Sequence, residues 1–124
     1  MKPVPGQSHW FDLPVVDLAD AMSFYEGLLG WTYQQMDPSP LDGYVMIESG
    51  GELIGGLRRV ERLLPESTGP ILYFTVEHLT ASVTRAKELG AKIVGDAVPL
   101  GPGRGRYQWI RDREGTLIGL WAKE

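Results

Sequence analysis

Apolar and polar residues alternate over HWFDLPVV, residues 9 to 16, with Phe11, Leu13 and Val15 on one side and Trp10, Asp12 and Pro14 on the other. A period of two in aromatic and β-branched residues predicts a strand. The period then lengthens. Ala21, Phe24 or Tyr25, and Leu28 recur at helical spacing behind the capping candidates Asp17 and Asp20, and Gly30 stops the run, so a helix is expected over about 18 to 29. Three shorter strand-like pieces follow near 31 to 36, 43 to 48 and 52 to 58, separated by the turn-forming DPSPLDG and SGG. The first half therefore reads βαβββ.

A connection rich in Pro, Gly and Ser, LLPESTGP at 63 to 70, leads into ILYFTVEH, again a strand, and into Ala81 to Leu89, again a helix, stopped by Gly90. The order has restarted. An offset of 60 sets Val16 on Val76, Asp17 on Glu77, Leu29 on Leu89 and Gly30 on Gly90. An offset of 64 sets GELIG at 51 to 55 on GTLIG at 115 to 119. Two copies of one unit, with a loop insertion in the second, account for both offsets. The longer loop of the second copy is VPLGPGRG, 98 to 105, whose Pro and Gly mark a mobile or tightly turned connection.

Composition narrows what such a chain can do. At 124 residues and 43% hydrophobic, it can bury a core as a single domain over 1 to 124, with modules at about 8 to 60 and 69 to 122. With no cysteine there is no disulfide, thiolate metal site or thiol nucleophile. No apolar run approaches the roughly 20 residues that span a bilayer, and the first eight residues lack the pattern of a secretion signal, which makes the cytoplasm the expected location with no membrane partner. A net charge of −4 gives no long-range attraction for phosphate backbones, so nucleic acid is not an expected partner.

PVVDLADAMSFYEGLLGW, GGELIGGL, YFTVEHLTASVTRAKELGAKIV and RDREGTLIGLW together resemble the glyoxalase/bleomycin-resistance/dioxygenase, or vicinal oxygen chelate, superfamily. The resemblance covers nearly all of the chain after residue 8. It implies an α+β fold of two tandem βαβββ modules, whose mostly antiparallel mixed sheet forms a cup, and it implies a homodimer. Metal-using members hold one divalent cation in the cup, with ligands early in the first strand and near the end of the fourth strand of each module. The offsets carry those four positions onto Trp10, Gly55, Pro70 and Gly119, none of which offers the oxygen or nitrogen donor such a cation needs. His9 enters register only by a one-residue slip, which turns its side chain to the other face. His78, between a strand end and a helix start, reads as a solvated loop residue.

Without metal ligands, the candidate chemistry is that of a ligand pocket. Strand register places Asp12 beside Trp10 on the cup side, either as a carboxylate that orients a ligand or acts as a base, or as the partner of a neighbour such as Arg111. The same register points Leu53, Leu57, Leu72, Tyr107, Trp109, Leu117 and Trp121 inward, and four tryptophans in a short chain suit the stacking of flat rings. Arg104, Arg106 and Arg113 read as solvated charges. Asp112 to Gly115 departs from the family's usual turn by having Arg113 where proline is common, and Gly115 should keep the turn. The favoured function is metal-independent binding of a small apolar or aromatic molecule, with no cofactor. Its site is Trp10, Asp12, Leu57, Leu72, Tyr107, Trp109, Arg111 and Trp121. The alternative is a metal-dependent lyase, isomerase or dioxygenase of the same superfamily, which needs ligands those positions do not supply.

Overall fold

In a computed structural model of the chain, residues 3–37, 39, 41–62 and 69–123 are described. Most of the expected inter-module connection, and Pro38 and Pro40 of DPSPLDG, lie outside them. The elements in chain order are β1 (Ser8–Val15), α1 (Leu18–Leu29), β2 (Thr32–Gln34), β3 (Tyr44–Ser49), β4 (Glu52–Arg59), β5 (Ile71–Thr75), α2 (Leu79–Glu88), β6 (Lys92–Pro99), β7 (Arg106–Arg111) and β8 (Leu117–Ala122). The class is α+β, a mixed, unclosed sheet of eight strands with two helices. By its contacts the chain divides into two compact units, Trp10–Pro70 and Lys2–His9 with Ile71–Glu124.

Unit one runs in the order β2-β3-β4-β1, with β1 and β4 parallel and the other pairs antiparallel. Asp17 caps α1 by accepting the Asp20 amide at 3.0 Å, and Gly30 ends it in the left-handed conformation, at φ 71°, with its N–H bonded to Glu26. The helix lays Leu18, Ala21, Met22 and Tyr25 over Phe11, Leu13 and Val15 of β1, Val45 and Ile47 of β3, and Leu57. One face of the unit is thus a core beneath α1. The other bears Trp10, Asp12, Tyr44, Met46 and Arg58, because side chains alternate along each strand.

Unit two repeats the order as β5-β8-β7-β6, again with one parallel pair, β5 with β8. Here α2 covers Phe74, Ile110, Ile118, Leu120 and Ala122 through Leu79, Val83 and Ala86. Its N-cap is His78, which makes no side-chain capping bond. The N-terminal segment belongs to this unit: the Gly6 amide donates to Thr75 O at 2.8 Å, and the Thr75 amide to Gln7 O at 3.0 Å.

The two units correspond at offsets one residue away from those the motifs suggest. Matching the core positions Leu18, Met22 and Tyr25 of α1 to Leu79, Val83 and Ala86 of α2 gives 61, and the same offset sets Asp12 on Tyr73. On the fourth strand, pairing jumps from Glu48↔Leu53 to Ile47↔Gly55, which leaves Ile54 as an extra residue in β4. This bulge shifts the phase of the strand. Beyond it, Gly56 corresponds to Gly119, Leu57 to Leu120, and Arg58 to Trp121.

Tyr33 of β2 gives the fold an alkaline limit. Its hydroxyl donates to Met22 O at 3.2 Å. Burial, and then the charges of Glu26 and Tyr25, push its pKa above the ordinary value of 10.0. The native state therefore holds this proton more tightly than the unfolded chain, and the associated stability is present below about pH 10 and lost as pH rises further. The fall in urea midpoint above pH 10 should accordingly be shallower in Tyr33→Phe. Identical slopes would remove Tyr33 from the account.

Candidate functional site

Each unit carries a hydrogen-bonded cluster of aromatic groups on the strand face away from its helix. In unit one, Asp12 is 1% exposed in the middle of β1. Its Oδ1 accepts the Tyr44 hydroxyl at 2.6 Å, and its Oδ2 accepts Arg58 Nε at 3.2 Å and Nη2 at 3.0 Å. The Tyr44 oxygen in turn accepts Trp10 Nε1 at 2.8 Å, and the Arg58 guanidinium lies 5.3 Å from the centre of the Tyr44 ring. Met36, Met46 and Leu41 pack around Tyr44 and Trp10. The result is a carboxylate held in place by a phenol and a guanidinium, with an indole fixed at its edge.

A glycine makes room for this arrangement. Asp12, Gly56 and Met46 lie side by side across β1, β4 and β3, while Tyr44 pairs with Arg58 one step along. To reach Asp12, the Tyr44 ring crosses the backbone at Gly56, where any Cβ would overlap its Cζ and hydroxyl. Unit two uses the same device with the residues exchanged. Tyr73, Gly119 and Trp109 lie in line across β5, β8 and β7, the Tyr73 ring occupies the space over Gly119, and Trp109 Nε1 donates to the Tyr73 hydroxyl at 3.0 Å. Tyr107 meets Tyr73 edge-on at 5.4 Å between ring centres and Trp109 at 6.0 Å. Trp121, paired with Tyr107, donates its Nε1 to Arg104 O at 2.9 Å.

Against the sequence expectation, Trp10 and Asp12 come together in unit one, as do Tyr107, Trp109 and Trp121 in unit two. Three residues fall elsewhere. Leu57 is fully buried under α1, in register with Leu13 and Val45, because the bulge at Ile54 reverses its face. Leu72 has the parity of Phe74, not that of Tyr73, so it points to the α2 side, and it is 46% exposed. Arg111 spends a donor on Gly115 O at 2.9 Å, in the turn that Asp112 closes by accepting the Glu114 and Thr116 amides. The partner of Asp12 is Arg58. Sequence reasoning missed Tyr44, Arg58 and Tyr73; the one available signal was a glycine doublet at 55 and 56 in a strand otherwise rich in large residues.

The donor set does not fit the divalent cation of metal-using relatives. The carried-over positions hold Trp10, Gly55, Pro70 and Gly119, and the corrected correspondence substitutes Ile71 and Gly56, which are no better. Asp12, the one carboxylate on this face of β1, is already committed to Tyr44 and Arg58. Among the described residues no three His, Cys, Asp or Glu side chains gather so as to hold a metal.

The chain is similar to several known proteins. It is 31% identical over 122 residues to "Putative glyoxylase CFP32" of Mycobacterium tuberculosis, covering 94% of this chain and 45% of that protein. It is 27% identical over 132 residues to the anthracycline biosynthesis protein DnrV of Streptomyces peucetius, covering 96% and 48%. It thus spans about half the length of these curated relatives. Among solved structures it resembles the Mn(II)-bound glyoxalase of Novosphingobium aromaticivorans, with TM-score 0.68, 15% identity, and coverage of 96% of this chain and 39% of that one. It also resembles methylmalonyl-CoA epimerase of Mycobacterium tuberculosis, with TM-score 0.64, 22% identity, and coverage of 100% and 93%. Among the described residues, no helix is long and apolar enough to cross a membrane. The duplicated βαβββ order agrees with the family model that matches residues 7–120, and the chain belongs to the Glyoxalase/Bleomycin resistance protein/Dioxygenase superfamily.

Proposed function

We propose that the chain binds a small, flat, largely apolar molecule without a metal, on the aromatic faces its sheet turns away from the helices, and that it does so as a homodimer. The observation that carries this reading is Trp10. It stands where a metal-using relative would place its first ligand, and its indole edge is fixed by Tyr44. Fixed aromatic planes favour stacking, because little side-chain freedom is lost on binding. Asp12 supports binding rather than proton transfer, since both of its oxygens already accept strong donors and a base needs an accepting position turned to the substrate. The naming of one relative for anthracycline biosynthesis adds support for fused aromatic rings as the ligand class.

Trp10→Ala tests the reading. Affinity for planar aromatic probes, measured by calorimetry against a panel that includes an anthracycline, should fall by about 1 to 3 kcal/mol. Trp10→Phe, which keeps an aromatic plane but loses the N–H to Tyr44, should fall less. A steep loss of melting temperature with unchanged affinity would make Trp10 a packing residue and end this assignment.

A further inference from the structure

The outer strip of α1 is apolar in a way the fold does not require. Asp20, Phe24 and Leu28 follow one another at intervals of four and so lie in one line along the helix. Phe24 and Leu28 are 59% and 64% exposed. Phe24 is also held rigidly. It meets Tyr25 edge-on at 5.1 Å between ring centres, Tyr25 stacks on Trp31 at 5.0 Å, and Trp31 leans on Phe11. At the offset of 61 the matching strip of α2 is Ala81, Arg85 and Leu89, so the duplicated helix tolerates a cation where α1 exposes a phenyl ring.

Unit two supplies a complementary surface. A shallow hollow of about 380 Å³ is lined by Gly6, Val76, Glu77, His78, Ala81 and Arg85 among others. The two units also differ in charge. Residues 10–70 contain ten acidic and three basic side chains, net −7, whereas residues 2–9 with 71–124 contain six acidic and nine basic, net +3, which together give the −4 of the chain. Arg85 is the cation of the hollow's lining, and its guanidinium also meets the exposed Glu88 at 3.3 Å.

From these observations we infer that Phe24 of one copy seats in the hollow beside Arg85 of a second copy, with Leu28 against the neighbouring apolar rim. The apolar contact gives affinity, and the opposite charges of the two units select the pairing of unit one with unit two over like with like. The Arg85 guanidinium placed over the Phe24 ring would add a cation–π contact. A copy that both gives its phenyl ring and receives one closes into a pair. This inference rests on the homodimer reading above and names its contact surface.

Light scattering on eluting protein at 1 to 100 µM in low salt should give twice the 13.7 kDa chain mass. Phe24→Arg, which installs the residue type found at the matching position of α2, and Arg85→Glu should each weaken the dimer at least tenfold while leaving the circular dichroism spectrum unchanged, since both side chains are exposed. Mixed together, the two variants should pair again, because one intact ring meets one intact hollow and the altered side chains carry opposite charges. A wild-type monomer at 100 µM would overturn both the homodimer reading and this surface. A stable wild-type dimer that neither variant weakens would spare the first and overturn the second, and so would a mixture that fails to pair.

Discussion

Asp12→Ala is expected to destabilise the protein by about 3 to 5 kcal/mol, measured as the change in unfolding free energy by urea titration. The carboxylate is essentially buried, and Arg58, whose side chain is only 18% exposed, keeps its charge when Asp12 is removed. A cation left in such a place loses its hydrogen-bonded counter-ion without regaining full hydration, which is the expensive way to break a buried pair. Tyr44 loses its acceptor as well. Replacing both partners, Asp12→Leu with Arg58→Met, should recover much of the loss, because the uncompensated charge goes with its partner. If the single and double variants are equally unstable, the damage comes from packing and not from charge. If Asp12→Ala costs less than 1 kcal/mol, the network contributes nothing to the fold and its role is confined to ligand recognition.

The second large effect is expected from the addition of one methyl group. Gly56→Ala should cost about 3 kcal/mol or slightly more, at the upper end of what overpacking produces, because the new Cβ would occupy the space of the Tyr44 ring and hydroxyl. Tyr44 cannot step aside cheaply. Its oxygen is pinned between Trp10 and Asp12, and its ring is packed by Met36 and Met46. Expelling it also strands those partners. The measurement is a double-mutant cycle with Tyr44→Ala. In that background the glycine substitution should cost well under 1 kcal/mol, so the coupling should be large. Full additivity would show that the strain lies in the backbone of β4 and not in the ring above it.

These two residues also show what the sequence could and could not reveal. Helix α1 is legible because its ends carry local chemistry: Asp17 caps it through its own side chain, and Gly30 adopts a conformation other residues avoid, whereas His78 gives α2 no such cap and the helix starts at Leu79, before the expected Ala81. The duplication was legible because short motifs recur at nearly constant spacing. Facing was only partly legible. A single extra residue at Ile54 reverses everything beyond it in β4, and nothing in LIGGLRR announces that residue, so simple alternation turns Leu57 to the wrong side and hides Arg58. The pairing of Asp12 with Arg58 spans 46 positions and depends on a glycine that lets a third residue cross between strands. Such a contact is written in three-dimensional register and has no local signature.

The attachment of Gly6 and Gln7 to unit two sets an order of events in folding. Gly6 and Gln7 precede the strand they join, at Thr75, by about 70 residues, and all of unit one is made between them. While unit one is being made, the backbone groups that Gly6 and Gln7 share with Thr75 wait for β5. Once β5 appears, its capture closes a loop that encloses the whole of unit one, a step whose entropic cost grows only slowly with loop length. Deleting residues 3 to 7 should therefore leave the early-made half largely intact and handicap the late-made half, a polarity opposite to the one suggested by the position of those residues in the chain.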